Sequence, residues 1–268
     1  MASEISYINE TVAGFRPITL EEMSAVRLMN RTDTKYVISL RQLAELLLFA
    51  RDYYMAQETL GERLIEYSTL YFDTDDWQML RAHVSGRKTR QKVRARTYVG
   101  SKLTFVEIKK KDNHGRTRKK RIKVDEMPAS AFTPDEADFV TTNSAFQALT
   151  LMPAVANNFR RITLVNNEMT ERLTIDLDLR LTNVRNGNEA LLDQTVIVEV
   201  KRDGRASSHI IDWLRAHGIR KSGFSKYCYG ALLTDPTLPV GTMKPKIRRL
   251  LRRGLIPCPV ASWRRWAA

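Results

Sequence analysis

Apolar and polar residues alternate strictly along several stretches of this chain, a period of two that marks strands with two unlike faces. In 172–181, Leu173, Ile175, Leu177, Leu179 and Leu181 alternate with Arg172, Thr174, Asp176, Asp178 and Arg180. In 195–201, Val196, Val198 and Val200 alternate with Ile197, Glu199 and Lys201. Lys92, Arg94, Arg96 and Tyr98 share one face of 89–99, and Phe105, Glu107, Lys109 and Lys111 share one face of the stretch that follows. The same reading predicts strands over 31–39, 65–73, 102–110, 117–125 and 156–165. Asp112-Asn-His-Gly115 supplies a hairpin turn, and Asn186-Gly-Asn188 another. Helical spacing with capping residues predicts helices starting after Thr19, with Glu22 as reciprocal partner, and after Ser39, over 40–53. Further helices are expected over 75–83, 134–151, 207–217 and 225–234.

Alternation usually means a sheet with one face on a core and the other in water. A membrane barrel would also alternate, but helices interrupt these strands and no aromatic girdles flank them. Nearly every polar face centres on Arg or Lys with one carboxylate two residues away, which free solvation explains less well. A closed barrel with a charged lumen accounts for both features. The expected class is therefore α+β: an antiparallel β-tunnel with an Arg/Lys-lined lumen and helices packed outside.

Charge sharpens this picture. The 268 residues carry a net charge of +14, which points to a polyanionic partner. The charge is local. Residues 87–123 hold sixteen Lys/Arg against Glu107 and Asp112, and 243–268 hold eight Lys/Arg and no acid. The expected division is a tunnel domain over 1–241 and a basic tail over 242–268. Within the tail, 244–256 reads as a basic amphipathic helix, and Trp263-Arg-Arg-Trp266 adds interfacial aromatics, a combination suited to anionic lipid surfaces or long polyanions. Cys228 and Cys258, far apart and outside any CxxC, argue against a disulfide framework or structural zinc. With no basic leader followed by an apolar run and no stretch near the ~18 residues of a span, a cytoplasmic protein is expected, peripheral at the inner membrane face if the tail docks there.

Short patterns then repeat one chemistry. They are Asp33-x-Lys35-Tyr36, Tyr71-Phe-Asp-Thr74, Arg94-x-Arg96-x-Tyr98, Glu107-x-Lys109, Phe159-x-Arg161, Arg172-Leu-Thr-Ile-Asp176, Glu199-Val-Lys201 and Ser225-Lys-Tyr227. Spacing of i,i+2 sets both members of a pair on one strand face. Converging guanidinium and ammonium groups suit a triphosphate, and a carboxylate among them suits a bridging divalent metal. Neither a Walker loop nor HExxH is present, and phosphoryl transfer by electrostatic positioning requires neither.

Taken in order, these patterns resemble the polyphosphate polymerase domain of the vacuolar transporter chaperone family, a branch of the triphosphate tunnel metalloenzymes. The resemblance runs from about Phe15 to Pro236. It implies transfer of the γ-phosphoryl group of ATP to a growing polyphosphate chain, with Mn²⁺ or Mg²⁺. It implies triphosphate contacts by Lys35, Arg94, Arg96, Lys109, Arg161, Arg172, Lys201, Ser225 and Lys226, with Lys35, Arg161, Arg172 and Lys226 nearest the chemistry. It implies metal binding by Glu199, with Glu107 as a second candidate. Asp33 stands where related tunnels often have the longer glutamate, and Gly223 where some polymerases carry lysine. The alternatives are a triphosphate or nucleoside-triphosphate hydrolase on the same scaffold, and a non-catalytic module for polyphosphate or inositol phosphates. Nucleic acid ranks last as a partner, because the aromatics form no repeated stacking set.

Overall fold

The computed structural model describes residues 2–24, 31–204 and 207–258. The chain begins with α1 (Ala2–Ala13), β1 (Arg16–Ile18), α2 (Leu20–Ser24), β2 (Arg31–Ser39), α3 (Leu40–Ala50) and β3 (Tyr54–Gln57). Next come β4 (Ile65–Asp73), α4 (Gln78–Val84), β5 (Arg90–Tyr98), β6 (Leu103–Lys111), β7 (Thr117–Val124) and α5 (Pro134–Asn143). The remainder is β8 (Met152–Asn166), β9 (Glu171–Asn183), β10 (Glu189–Leu192), β11 (Thr195–Asp203), α6 (His209–Ala216), α7 (Lys226–Thr234) and α8 (Lys244–Arg252). No helix among the described residues is long and apolar enough to cross a membrane.

Local chemistry sets the element ends. Thr19 and Glu22 close a reciprocal cap on α2, and Ser39 with Gln42 does so on α3. Thr133 and Glu136 cap α5, Ser208 caps α6 and Ser225 caps α7. Three helices differ from expectation. α3 stops at Ala50 because Tyr54, 1% exposed, joins β3 and pairs with Asn166 of β8. α4 starts only at Gln78, after Trp77 at φ 60°, where the Asp73 carboxylate accepts from the Met79 and Leu80 N–H groups. α5 ends at Asn143, followed by an extended Ser144 and a short 3₁₀ turn over Ala148–Thr150.

Two compact units share the chain. The first comprises Met1–Glu66, Phe159–Leu179 and Asp193–Phe224, and the second Tyr67–Asn158, Arg180–Leu192 and Ser225–Ala268. In the first unit the strand order is β2–β11–β9–β8, with β3 on β8 and β1 parallel to β3. Its core sets Tyr36, Ile38, Leu173, Ile175, Val196 and Val198 against Leu43, Leu46 and Leu47 of α3 and Leu214 of α6. In the second unit β8–β4–β5–β6–β7 lie in order, with β10 on β9, and α4 packs against α7.

The fold is thus α+β with a many-stranded antiparallel sheet, and one expectation needs correction. Among the described residues no ladder joins β7 back to β2, so hydrogen bonds do not close the barrel. β7 ends as an edge, exposed and basic from Arg118 to Arg121, and lysine on an edge discourages further strand pairing.

α8 buries an apolar stripe. Ile247 and Leu250 are fully buried and Leu251 is 9% exposed, while Lys244, Arg249 and Arg252 face outward. Trp263 and Trp266 lie outside the described residues.

Candidate functional site

In the first unit the register of β2, β11 and β9 brings separated residues face to face. Glu199 is the cross-strand partner of Lys35 on one side and of Thr174 on the other, and Lys201 sits between Asp33 and Arg172. The Lys35 ammonium pairs with Glu199 Oε1, and Lys201 Nζ lies 2.8 Å from Glu199 Oε2. Lys201 also donates to Thr174 Oγ1 at 2.9 Å. Nearby on β8, Arg161 makes a two-pronged contact with Asp176 at 2.6 and 2.8 Å.

These polar groups are not a solvated face. Thr174 and Asp176 are 6% and 5% exposed, although they lie opposite the fully buried Leu173, Ile175 and Leu177. Both faces of the strand are therefore covered. Burial works against the Glu199 carboxylate, but Lys201 and Lys35 outweigh it and hold its carboxyl below the usual range. Burial also pushes the Lys201 ammonium down to about 8, with Glu199 opposing.

The second unit repeats the device on β5 and β6. Arg94 faces Glu107 across the ladder and donates to its Oε2 from Nε at 2.8 Å and Nη2 at 2.6 Å, while Lys119 of β7 pairs with Oε1. Burial disfavours the Glu107 charge, yet Arg94, Arg96 and Lys119 overcome it and hold the carboxyl low. Arg94 Nη1 donates to the Tyr71 hydroxyl at 3.3 Å, and Arg96 Nε to Thr69 Oγ1 at 3.1 Å. Arg94 and Arg96 are each 7% exposed and Glu107 1%, on strands whose other face (Val93, Ala95, Val106) is fully buried. Lys109 lies in register between Lys92 and Lys119.

α7 presents the last two predicted residues of this unit. Ser225 Oγ accepts from the Cys228 N–H as a helix cap and from Lys92 Nζ at 2.8 Å, and Lys226 opens the helix. The helix is pinned from below, where the Tyr227 hydroxyl donates to Asp73. Asp73 thereby ties α7 to the start of α4.

Four polar residues in contact with these groups carried no assigned role in the sequence. Thr174 lies between Arg172 and Asp176 on the same strand face, so parity alone could have flagged it. Lys92 and Tyr71 could have been flagged likewise, by the β5 face and by the Tyr-Phe-Asp-Thr pattern. The pairing of Lys119 with Glu107 depends on hairpin register and left no sequence signal.

Among the described residues no three His, Cys, Asp or Glu side chains gather as a metal cluster. Glu199 nevertheless offers a hard carboxylate donor whose side chain is 20% exposed, which fits a divalent cation taking its other ligands from phosphate oxygens and water. Both carboxylates have their two oxygens engaged by cations of the chain itself, and what separates them is exposure, with the Glu107 side chain only 1% exposed.

Burial and, after it, basic neighbours act together on His83 of α4. Burial, with Lys92, Arg90, Lys246 and Lys111 around it, pushes its imidazole from 6.5 down to about 2. Below about pH 6.5 the unfolded chain takes up a proton at His83 that the folded chain refuses, so stability falls as pH drops through that value. His83→Gln should flatten this part of the curve in denaturant unfolding between about pH 7 and pH 5. An unchanged slope would show an ordinarily solvated imidazole.

Comparison with known proteins follows the same lines. A model of the VTC domain family matches residues 30–234. No curated protein matches the chain. Among solved structures, a Hippeastrum protein named as an adenylyl cyclase with a dominant triphosphatase activity is 15% identical, with a TM-score of 0.50 over 79% of this chain and 99% of that one. That is a likeness of fold alone. A Vibrio parahaemolyticus protein named as an adenylate cyclase is 8% identical, with a TM-score of 0.44 over 74% and 96% of the two chains. The Schizosaccharomyces pombe RNA triphosphatase Pct1 is 14% identical, with a TM-score of 0.26 over 66% and 73%. With its family model matched across most of its length, and with the enclosed ion-paired strand faces lying inside the matched region, the chain belongs to the VTC domain family.

Proposed function

We propose that this protein is a metal-dependent polyphosphate polymerase that moves the γ-phosphoryl group of ATP onto a growing polyphosphate chain. The observation that carries the reading is the convergence of Lys35, Glu199 and Lys201 on one part-buried strand face, where one carboxylate is held ionised by two lysines. Such a group is poised to exchange its lysine partners for phosphate and a cation. The lysines would turn to the incoming phosphate oxygens, and Arg161 and Arg172 would add guanidinium donors. Arg94, Arg96, Lys109, Ser225 and Lys226 would contact phosphate in the same way in the second unit. Glu199 would hold the Mn²⁺ or Mg²⁺, which supplies charge neutralisation on the phosphate oxygens when bound. The chain's own task is to orient the acceptor phosphate in line and to stabilise charge on the transferring group.

Hydrolysis is the second reading, favoured by the triphosphatase activity named for the similarly folded Hippeastrum protein. Incubation with ATP and Mn²⁺ separates the two. Polymerase activity is expected to give ADP together with long-chain polyphosphate. Free phosphate without polymer would establish the hydrolase, and intact ATP with tight polyphosphate binding would leave a binding module.

A further inference from the structure

Two sequence patterns, Tyr71-Phe-Asp-Thr74 and Ser225-Lys-Tyr227, meet inside the second unit. Asp73 is fully buried at the end of β4. Its Oδ1 accepts from the Thr74 and Met79 N–H groups at 2.8 and 2.9 Å, and its Oδ2 from the Leu80 N–H at 3.0 Å and from the Tyr227 hydroxyl. The bonds from Met79 and Leu80 cap α4. The bond from Tyr227 adds nothing to that cap, because its other end is the first turn of α7. Tyr227 is 1% exposed, and its ring centroid lies 5.3 Å from that of Tyr71, whose hydroxyl accepts from Arg94. Burial and, after it, the Asp73 charge push the Tyr227 phenol well above its ordinary range, so it stays a donor. The rest of α7 is held as firmly. Every residue from Tyr227 to Thr234 is buried, and a Cβ on Gly230 would stand 2.4 Å from Val155 Cγ1 of β8. Ser225 and Lys226, at the N-terminal end, are half-buried.

We propose that Tyr227, anchored on Asp73, is a positioning residue for the phosphate-binding end of α7, fixing where Ser225 and Lys226 stand. The inference rests on the reading that Lys226 contacts phosphate, and it names what aims that lysine. A lysine is a point charge on a flexible stem, so its reach depends on where its backbone is held. Packing alone would be served by phenylalanine at 227, and the α4 cap alone needs no tyrosine. A phenol donating to an ionised carboxylate makes a hydrogen bond roughly twice as strong as a neutral one. That bond ties the residue next to Lys226 to the same strand face that carries Tyr71 and, through it, Arg94. Lys92 Nζ holds Ser225 Oγ from the other side at 2.8 Å. The helix end is thus located by two polar contacts, one of them spent wholly on placement.

The test is calorimetric titration of the full chain with inorganic tripolyphosphate, without metal, in a double-mutant cycle of Tyr227→Phe and Lys226→Ala. Lys226→Ala should weaken binding at least roughly tenfold. Tyr227→Phe keeps the ring and should weaken binding about fivefold in the native background, but less than about twofold once Lys226 is gone. Asn188→Ala loosens the opposite end of the helix, where the Asn188 Nδ2 donates to the Thr234 carbonyl at 2.9 Å. It should lower the melting temperature yet leave tripolyphosphate affinity within about twofold. Aim is thereby separated from general loosening. Unchanged affinity in Tyr227→Phe, the same loss with and without Lys226, or an equal loss in Asn188→Ala would overturn the positioning role alone. Unchanged affinity in Lys226→Ala would take Lys226 out of the phosphate site and overturn the reading beneath it as well.

Discussion

Replacing Glu199 by glutamine is expected to lower metal-dependent turnover by about three orders of magnitude, at ~1.4 kcal/mol of lost transition-state stabilisation per decade. The side chain keeps its shape but loses the charge a hard divalent cation requires. Phosphate affinity without metal should hold or rise, because Lys35 and Lys201 lose the carboxylate that occupies them. Initial rates of ADP formation across a manganese titration, with polyphosphate binding measured in parallel, report both effects. Glu107→Gln is the control. Its carboxylate anchors Arg94 and Lys119, so its loss should appear first as lower thermal stability and only secondarily in rate. Normal turnover in the Glu199 variant would remove that residue from the metal site and send the search to Glu107, Asp33 and Asp176.

A chain ending at Val240 should fail to hold its second unit together. It lacks α8, and with it the buried Ile247, Leu250 and Leu251. Burying each such side chain contributes roughly 1.5–3 kcal/mol. Three of them approach the whole stability of a typical domain, about 5–15 kcal/mol. The approach to the helix is equally tight. Gly241 adopts φ +45°, and a Cβ there would stand 2.2 Å from the Val84 carbonyl oxygen. Thermal melting and limited proteolysis, with a chain ending at Cys258 as comparison, measure the effect. A melt coincident with that of the longer chain would show α8 to be dispensable, and the basic stretch from Lys244 would then act as an appendage.

The sequence made the long strands readable because each carries enough residues to display a period of two. β2 and β4 begin and end where alternation and the Ser39 cap place them. Short elements had no such signal. β1, β3 and β10 offer three or four residues apiece, and α1 begins without a distinctive cap in the sequence. The start of α4 was hidden for another reason, since its cap is a carboxylate at the end of the preceding strand rather than a residue just before the helix. The site was legible in part by the same logic. Pairs two residues apart, such as Glu199 and Lys201, share a face by geometry. Which strand lies opposite is set by register, so Lys35 against Glu199 and Arg94 against Glu107 could be known only from the fold.

The pinning of α7 by Asp73 bears on when the protein becomes functional as it is made. Asp73 and Tyr227 are 154 residues apart, Lys35 and Glu199 are 164 apart, and Lys92 and Ser225 are 133 apart. Contacts this distant in sequence form late, because the intervening chain must first be closed into a loop. A nascent chain that has not yet emerged past β11 holds Lys35 without its counter-charge, and one that has not reached α7 holds Lys92 without Ser225. On the proposed polymerase reading, a site that needs Lys35 with Glu199 and Lys92 with Ser225 is complete only once the last third of the polypeptide has been made.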